Sequence, residues 1–396
     1  MGEFTNAPQG AGRIITGGNR GGAKRPSMND IAKIHFGRNR RQELNALVED
    51  AIRERIFPGM ELLVAWGDVV VLHEAWGNLE VGPEVSPMET GTLFDIASIT
   101  KPVATAMCMM ILVEQGRVGL EEKAAEFFAE YDTPEKRGIT LRHLMTHTAG
   151  LPEWIDLYSG DLTRADAFRK LVNEPLKHPT GTAMVYSDLG YLMLGEIIHR
   201  ISGESLSELF HRQVAHPLNL AHTAFNPLEK QIDLPIAPTQ FCTFRKQLLR
   251  GIVHDENAYV FGGEAGNAGL FSTAADLHVF ARMILGGGAL DGAKLLSPRT
   301  VSMMITNHNP PRLPPRGLGW DLKGDLFGYS SCGGLMGKGS IGHTGFTGTS
   351  LWMEPDTGLI VIVLTNRVNI ARDKNQGDMI RFRPRLHNLA VCLAEE

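Results

Sequence analysis

The sequence has only four cysteines, and no paired spacing relates Cys108, Cys242, Cys332 and Cys392. Neither a zinc site nor a disulfide framework is therefore predicted. Basic residues are not in excess, because the net charge is −5, so nucleic acid would find no broad basic surface. No uninterrupted apolar run approaches the roughly 18 residues that a membrane span needs. We expect small-molecule partners, no cofactor, no nucleic acid and no membrane span, and the oligomeric state stays open.

Residues 1–27 are rich in glycine and lack the apolar central stretch of a secretory signal. We predict a flexible leader there, with Met28 as a candidate natural start. For the sequence as written, the expected location is the cytoplasm. If the natural protein began with a secretory signal and this leader had replaced it, the sequence would be the same, so an exported protein stays the alternative.

The two ends of the chain carry the clearest periodic patterns. Apolar residues recur at three- and four-residue intervals over 40–56, which predicts a helix. Two strand-like runs, 61–66 and 69–76, are joined by two residues that suit a hairpin. Two more runs, 350–353 and 359–366, flank a Pro- and Gly-containing turn, and a helix follows. We predict an α+β fold in which the two ends share one sheet.

The remaining patterns suggest one domain, 28–396, with an insertion. Residues 28–120 and 291–396 are assigned to a sheet-containing part, and 121–290 to a mainly helical part. A cleft is expected where the two parts meet. The Pro- and Gly-rich stretch 307–339 is predicted to be a loop that rims such a site.

Ser98 and Lys101 are the first candidate site residues, because they open a predicted helix. The Ser98 hydroxyl and N–H would lie at the positive end of the helix dipole, where an oxyanion is stabilised. Lys101, three residues on, faces the same way and can reach Ser98 Oγ. A serine needs such a neighbour to take its proton, and a lysine accepts one only when it is neutral. Alone, a Ser-x-x-Lys pattern also arises by chance in many helices.

Two further motifs follow in order: Tyr186-Ser187-Asp188 before a helical run, and His343-Thr344-Gly345 before a strand pair. This order resembles the three-motif signature of serine β-lactamases and penicillin-binding proteins. The resemblance is strongest to the branch with class C β-lactamases, D,D-peptidases, D-aminopeptidases and related carboxylesterases. From about residue 40 it covers most of the chain, with supporting stretches at 144–151, 253–258, 268–274 and 365–367.

The resemblance implies a fold and a set of roles. The fold would be β-lactamase/transpeptidase-like: an antiparallel sheet flanked by helices, with a mostly helical subdomain inserted. Ser98 would be acylated, and Lys101 would lie between it and the second motif. Tyr186, with a pKa lowered by nearby cations, would exchange a proton with Ser98 or the leaving group. The N–H groups of Ser98 and Phe346 would form the oxyanion hole. Neither a metal nor a cofactor is implied.

Two positions depart from the familiar pattern, and both belong to the predicted substrate-binding set Asp188, His343, Thr344, Gly345 and Phe346. Asp188 stands where many relatives have asparagine, and an ionised carboxylate cannot donate to a substrate carbonyl. It would also favour the ammonium form of Lys101. His343 stands where lysine is more familiar, and histidine is largely neutral near pH 7, so recognition of a free carboxylate should weaken.

We therefore expect a serine hydrolase, carboxylesterase-like or β-lactamase-like, that forms an acyl-enzyme on Ser98. Its expected substrates are carboxylic esters or small amides, with weak acylation by β-lactams or weak hydrolysis of them. A D,D-peptidase, a D-aminopeptidase or a β-lactamase is the alternative. A non-catalytic penicillin-binding or sensor protein is the alternative of another class, although Ser98, Lys101 and Tyr186 are all present.

Other polar residues have structural interpretations. His143 and His147 stand four apart but lack the glutamate and third ligand of a zinc site, so a structural role is predicted. The run His254-Asp255-Glu256 is predicted to brace the cleft by hydrogen bonds.

Overall fold

A computed structural model describes residues 38–395 except for four short stretches, 83–84, 161, 325–328 and 373–374. The predicted leader, residues 1–27, lies outside the described residues. The strands in the described part are, in chain order, β1 (Gly59–Trp66), β2 (Val69–Gly77), β3 (Phe94–Asp95), β4 (Ala224–Phe225), β5 (Phe241–Cys242), β6 (Gln247–Leu248), β7 (Leu270–Ser272), β8 (Ala289–Leu290), β9 (Ala293–Lys294), β10 (Asp321–Leu322), β11 (Ile341–Thr344), β12 (Ser350–Glu354) and β13 (Leu359–Thr365). The α-helices are α1 (Arg38–Arg53), α2 (Met107–Glu114), α3 (Leu141–Met145), α4 (Arg164–Asn173), α5 (Asp188–Ser202), α6 (Leu206–Phe210), α7 (Glu256–Val260), α8 (Ala274–Leu285), α9 (Pro298–Met304) and α10 (Gln376–Glu395).

The main sheet is antiparallel, with six strands in the spatial order β10-β11-β12-β13-β1-β2. β1 and β2 form the predicted hairpin, and Gly67 takes the positive φ of 56° that its tight turn requires. β1 also pairs with β13, from Met60 opposite Thr365 to Trp66 opposite Leu359. The prediction that the two ends of the chain share one sheet is confirmed.

Helices cover both faces of this sheet. On one face, α1 and α10 pack against Leu62, Val64 and Val361. On the other, α8 packs against β1, β12 and β13. Every residue of β13 is buried, because a central strand with a helix layer on each side has no solvent face and is apolar at successive positions.

One predicted boundary is wrong. The mainly helical part was assigned to 121–290, but α8 within it lies on the sheet, and β7 pairs with β3 of the sheet-containing part. The apolar periodicity of α8 predicts a helix but does not say which layer that helix covers. Within the predicted inserted region, α8 therefore packs on the main sheet, and β7 joins β3 of the sheet-containing part to β4 of the inserted region.

The helical segment Ala97–Glu114 begins at the predicted helix start. It opens with a 3-10 turn, Ala97–Ile99, continues as a π-helix, Lys101–Ala106, and ends as α2. Its length and apolar composition would suit a membrane span, but 83% of it is buried inside the fold. It is therefore a core helix, packed against α5 and α6, and its first turn carries Ser98.

Candidate active site

Ser98 lies in the 3-10 turn that opens the core helix directly after β3, at the wall of a cavity of about 720 Å³. The preceding residue, Ala97, has a φ of 48°, a conformation that costs a non-glycine residue roughly 1–3 kcal/mol. Its N–H donates to Asp95 Oδ1 at 2.8 Å, and the Ile99 N–H donates to Ile96 O at 3.1 Å. These bonds hold the strained turn that presents Ser98.

The loop after β11 is fastened to this turn. Thr347 Oγ1 donates to Asp95 O at 2.8 Å, and Thr349 Oγ1 donates to Ile96 O at 3.2 Å. A Cβ on Gly345 would lie 2.6 Å from Ile96 O and would also overlap Thr349 Oγ1. Glycine at 345 therefore lets the His-Thr-Gly strand approach the Ser98 turn closely.

Gly345→Ala is expected to reduce kcat/KM for any turned-over ester at least about tenfold and to destabilise the fold by about 1–3 kcal/mol, because the added methyl group separates β11 from the Ser98 turn. Thermal unfolding and initial rates measure the two effects. Gly334→Ala is the matched control, since a Cβ there meets no atom within 4 Å. Equal activity in both variants would contradict the assigned role of this contact.

Lys101 is fully buried, and its ammonium group is the centre of the site. Nζ lies 2.9 Å from Ser98 Oγ, 2.9 Å from Asn267 O and 2.6 Å from Asp188 Oδ1. Burial alone would lower the pKa of Lys101, but the charge of Asp188 and the neighbouring Tyr186 more than offset burial and raise it. Lys101 is therefore an ammonium at neutral pH, as the sequence hypothesis about Asp188 required.

Tyr186 lines the same cavity as Ser98. Its buried hydroxyl is within reach of Ser98 and Lys101, although neither contact has the geometry of a well-formed hydrogen bond. Burial raises the pKa of Tyr186, and Lys101 offsets only part of that effect. The lowered pKa expected for Tyr186 is therefore wrong in direction, because burial outweighs the nearby cation.

His147 positions the second motif. Its Nδ1 accepts a hydrogen bond from the Ser187 N–H at 3.0 Å, and its ring lies 4.5 Å from the Tyr186 ring and 5.1 Å from that of Tyr191. Burial holds the pKa of His147 well below its usual value, so the ring is neutral. His143 instead caps α3 through Thr140. Among the residues that the structure describes, no group of three metal-binding side chains is found.

The His-Thr-Gly strand brings His343 against Tyr186, with ring centroids 5.8 Å apart. His343 Nδ1 donates to Thr344 O at 2.8 Å. Burial, with help from Arg316 and Lys101, holds the pKa of His343 well below its usual value. The neutral state expected for His343 is therefore the one that this environment favours.

Arg316 is the site residue that the sequence did not single out. It is 7% exposed, lines the cavity and lies 5.6 Å from the centre of the Tyr186 ring. Its Nη1 is 3.3 Å from Asp321 Oδ1. The predicted rim 307–339 contains it, but only the fold shows that it places a permanent cation beside the neutral His343.

The two backbone amides expected to form an oxyanion hole meet at the same cavity. Ser98 and Phe346 both line it, and neither N–H has a hydrogen-bond partner in the described part of the chain. The contact of Gly345 with the Ser98 turn keeps the two amides together. Phe346 is 38% exposed, and its ring stacks on His254 with centroids 5.6 Å apart.

The run 254–256 lies on the helical wall and braces it. The His254 N–H donates to Asp95 Oδ2 at 2.7 Å, and Glu256 pairs with Arg372. Asp255 Oδ1 accepts the Ala258 N–H at 2.7 Å and caps α7. This bracing agrees with the sequence interpretation, yet Asp255 also faces the cavity.

Similarity to known proteins shows the family to which this chain belongs. A family model described as Beta-lactamase matches residues 44–382, so the chain belongs to the β-lactamase family and to its superfamily of serine hydrolases. The predicted fold, an antiparallel sheet with flanking helices and a helical insertion, is that of this family.

Individual relatives differ in their names. The chain is 30% identical over 345 residues to a "Putative D-alanyl-D-alanine carboxypeptidase" of Escherichia coli (strain K12), covering 78% of this chain and 79% of that protein. It is 29% identical over 375 residues to an "N-acetylmuramyl-L-alanine amidase" of Bacillus subtilis (strain 168), covering 86% and 84%. The structure of "EstCE1, a hydrolase with promiscuous acyltransferase activity" matches with a TM-score of 0.67 at 21% identity, covering 89% and 98%. The last likeness concerns the fold alone.

Proposed function

We propose that this protein is an acyl-transferring hydrolase that uses Ser98 to cleave carboxylic esters or small amides. The observation that carries the proposal is the 2.9 Å contact between Lys101 Nζ and Ser98 Oγ, at the wall of a cavity that also presents two unpaired backbone amides. A hydroxyl beside a fixed cation and an oxyanion hole is what nucleophilic acyl transfer requires.

The proposed reaction has two halves. Ser98 Oγ attacks the substrate carbonyl carbon, and the carbonyl oxygen becomes an oxyanion held by the N–H groups of Ser98 and Phe346. The bond to the leaving group breaks, the leaving group takes a proton, and an acyl ester remains on Ser98. Water then attacks this ester, releases the acid and returns the proton to Oγ.

The proton route follows from the charge states. Lys101 is an ammonium and Tyr186 is a neutral phenol at neutral pH, since both pKa values are raised. We propose a relay in which Tyr186 passes its own proton to the leaving group while it takes the proton of Ser98 Oγ. Lys101 remains charged throughout and stabilises the negative charge that develops on Ser98 Oγ and on the Tyr186 phenol oxygen. The relay requires no phenolate in the resting protein.

Asp188→Asn tests the charge state of Lys101. Without the Asp188 carboxylate, burial is left as the main influence, and it lowers the pKa of Lys101. If the ammonium is required, kcat/KM of the variant falls as the pH rises through this lowered pKa, whereas the wild type keeps its rate to higher pH. Rates for one ester between about pH 6 and 10 give the two profiles. An unchanged profile contradicts the coupling, and a rate that rises with pH makes neutral Lys101 the base.

The substrate class is argued from the second and third motifs. Asp188 is engaged with Lys101 and cannot donate to a substrate carbonyl, and neutral His343 attracts a free carboxylate only weakly. Both features support esters and small amides. The likeness in fold to EstCE1, which is described as a hydrolase with promiscuous acyltransferase activity, is in keeping with this class.

A D,D-carboxypeptidase activity is the second candidate, because Arg316 favours it. This buried arginine and Thr344 line the same cavity, and a guanidinium can hold the carboxylate of a peptide C terminus that His343 does not attract. The relative from Escherichia coli carries a name of this kind, and the one from Bacillus subtilis is named as an amidase.

One experiment separates the candidates. The protein is incubated with p-nitrophenyl esters of short acids, with D-alanyl-D-alanine peptides and with a chromogenic β-lactam, and adducts are located by mass spectrometry. Turnover of esters with an acyl group on Ser98 supports the proposal, and preferential turnover of the peptides supports the second candidate. A stable β-lactam adduct without any turnover would make the protein a sensor. No adduct with any compound contradicts the proposed function.

A further inference from the structure

The helical wall of the cavity contains a buried amide oxygen without a partner. Asn267 is 1% exposed and lines the cavity, and its backbone oxygen accepts from Lys101 Nζ at 2.9 Å. Its side-chain Nδ2 lies 3.3 Å from Asp255 Oδ1. A carboxylate only accepts hydrogen bonds, so the amide nitrogen must face Asp255. Asn267 Oδ1 is then left buried with no donor in the described part of the chain.

The neighbouring groups are acceptors too. Asp255 makes no ion pair among the described residues, and burial together with the negative charges of Asp188 and Glu256 raises its pKa to about 6. Asp188 and Asp255 both line the cavity. Lys101 Nζ already donates to Ser98 Oγ and Asn267 O and forms an ion pair with Asp188 Oδ1, and it makes no hydrogen bond to Asn267 Oδ1. The wall therefore offers several acceptors and lacks a donor.

The geometry points to a subsite for a protonated amine formed by Asn267 Oδ1 and the carboxylates of Asp255 and Asp188. An ammonium group brings three donors and one positive charge, and it would satisfy the buried oxygen and the unpaired carboxylate together. Asn267 is bonded to the same Lys101 Nζ that contacts Ser98 Oγ. An amine held here lies in the same cavity as Ser98, whose Oγ attacks the acyl carbon.

This subsite deepens the proposed function and rests on it. The preferred acyl group is one with a free amine next to the reacting carbonyl, so the substrates are aminoacyl esters or aminoacyl amides. Acyl groups without the amine, or with the amine acylated, leave Asn267 Oδ1 without a donor. Asn267 and Asp255 act here as specificity residues, apart from the acyl-transfer chemistry of Ser98.

The test uses two inhibitors that differ only in the amine, 1-aminoethylboronic acid, as each enantiomer, and ethylboronic acid. Boron takes the place of the carbonyl carbon and bonds to a nucleophilic serine oxygen. Inhibition constants are measured against hydrolysis of a p-nitrophenyl ester. The wild type should bind at least one enantiomer of 1-aminoethylboronic acid at least about tenfold more tightly than ethylboronic acid. A tenfold ratio of inhibition constants corresponds to about 1.4 kcal/mol of binding free energy.

Variants assign the preference to the subsite. Asp255→Asn and Asn267→Leu should each reduce the ratio of the two inhibition constants at least about fivefold, because each removes an acceptor of the amine. Asp291→Asn is the matched control, since it removes the same charge at a residue that is 77% exposed and outside the cavity. The control should keep the wild-type ratio.

The outcomes are separable. Equal inhibition of the wild type by both boronic acids overturns the amine subsite and leaves the proposed function standing. Absence of p-nitrophenyl ester hydrolysis, which would leave no rate to inhibit, contradicts the proposed function itself. A preference that survives both subsite variants also overturns the assignment to Asn267 and Asp255. The wild-type ratio needs no variant, so misfolding of a variant does not prevent the test.

Discussion

Ser98→Ala is expected to lower kcat/KM for any turned-over ester by at least about 10⁴-fold, because no other nucleophile takes over covalent catalysis. The variant keeps the oxyanion hole and the cavity, so substrate should still bind. Initial rates and intact-protein mass spectrometry measure the two expected losses, of turnover and of the acyl adduct. The thermal unfolding temperature should stay near that of the wild type, since Ser98 is only partly buried and its hydroxyl accepts one hydrogen bond, from Lys101.

Ser187→Ala is the matched control for this prediction. Ser187 belongs to the second motif, but its hydroxyl donates to Pro152 O at 2.7 Å, turned away from the reacting groups. The same loss of one oxygen should therefore change kcat/KM less than about tenfold. If Ser187→Ala removed activity and Ser98→Ala retained it, the nucleophile would have been assigned to the wrong serine.

The features that the sequence predicts correctly depend on short-range patterns. The β1–β2 hairpin follows from two apolar runs around Gly67-Asp68, and β12–β13 follows from a similar pattern around the turn at 355–358. Such patterns set the periodicity and the turns without reference to the rest of the fold. The order of the three motifs adds the resemblance to a family, which implies an antiparallel sheet flanked by helices that periodicity alone cannot give.

The missed features depend on tertiary burial. Arg316 lies in a Pro-rich loop, and nothing in the local sequence indicates that its guanidinium reaches Tyr186. The direction of the Tyr186 pKa could not be predicted either, because it is the balance between burial and one cation. Asn267 and Asp255 are twelve residues apart in sequence. Only the fold shows that Asn267 Nδ2 faces Asp255 and that Asn267 Oδ1 is left without a hydrogen-bond partner.

The ammonium of Lys101 is expected to contribute nearly as much as the nucleophile. Lys101→Met keeps an unbranched side chain at this buried position but removes the charge that contacts Ser98 Oγ and stabilises the negative charge on the Ser98 and Tyr186 oxygens during the relay. We expect kcat/KM to fall at least about 10³-fold, a magnitude observed when one preorganised electrostatic group is deleted. Lys101→Arg should not restore the rate, since Nζ has acceptors at 2.6–2.9 Å on three sides and a guanidinium does not fit.

Lys136→Met separates this catalytic effect from the general effect of losing a buried lysine. Lys136 is 7% exposed, donates to Val172 O at 2.9 Å and lies outside the cavity. Its replacement leaves that oxygen unpaired, so it should lower the free energy of unfolding by about 1–3 kcal/mol while kcat/KM stays within about threefold. Rates are compared at a temperature where circular dichroism shows both variants folded. A Lys101→Met enzyme within tenfold of the wild type would mean that the Lys101 charge is not needed, and the proposed relay would then require a different stabilising group.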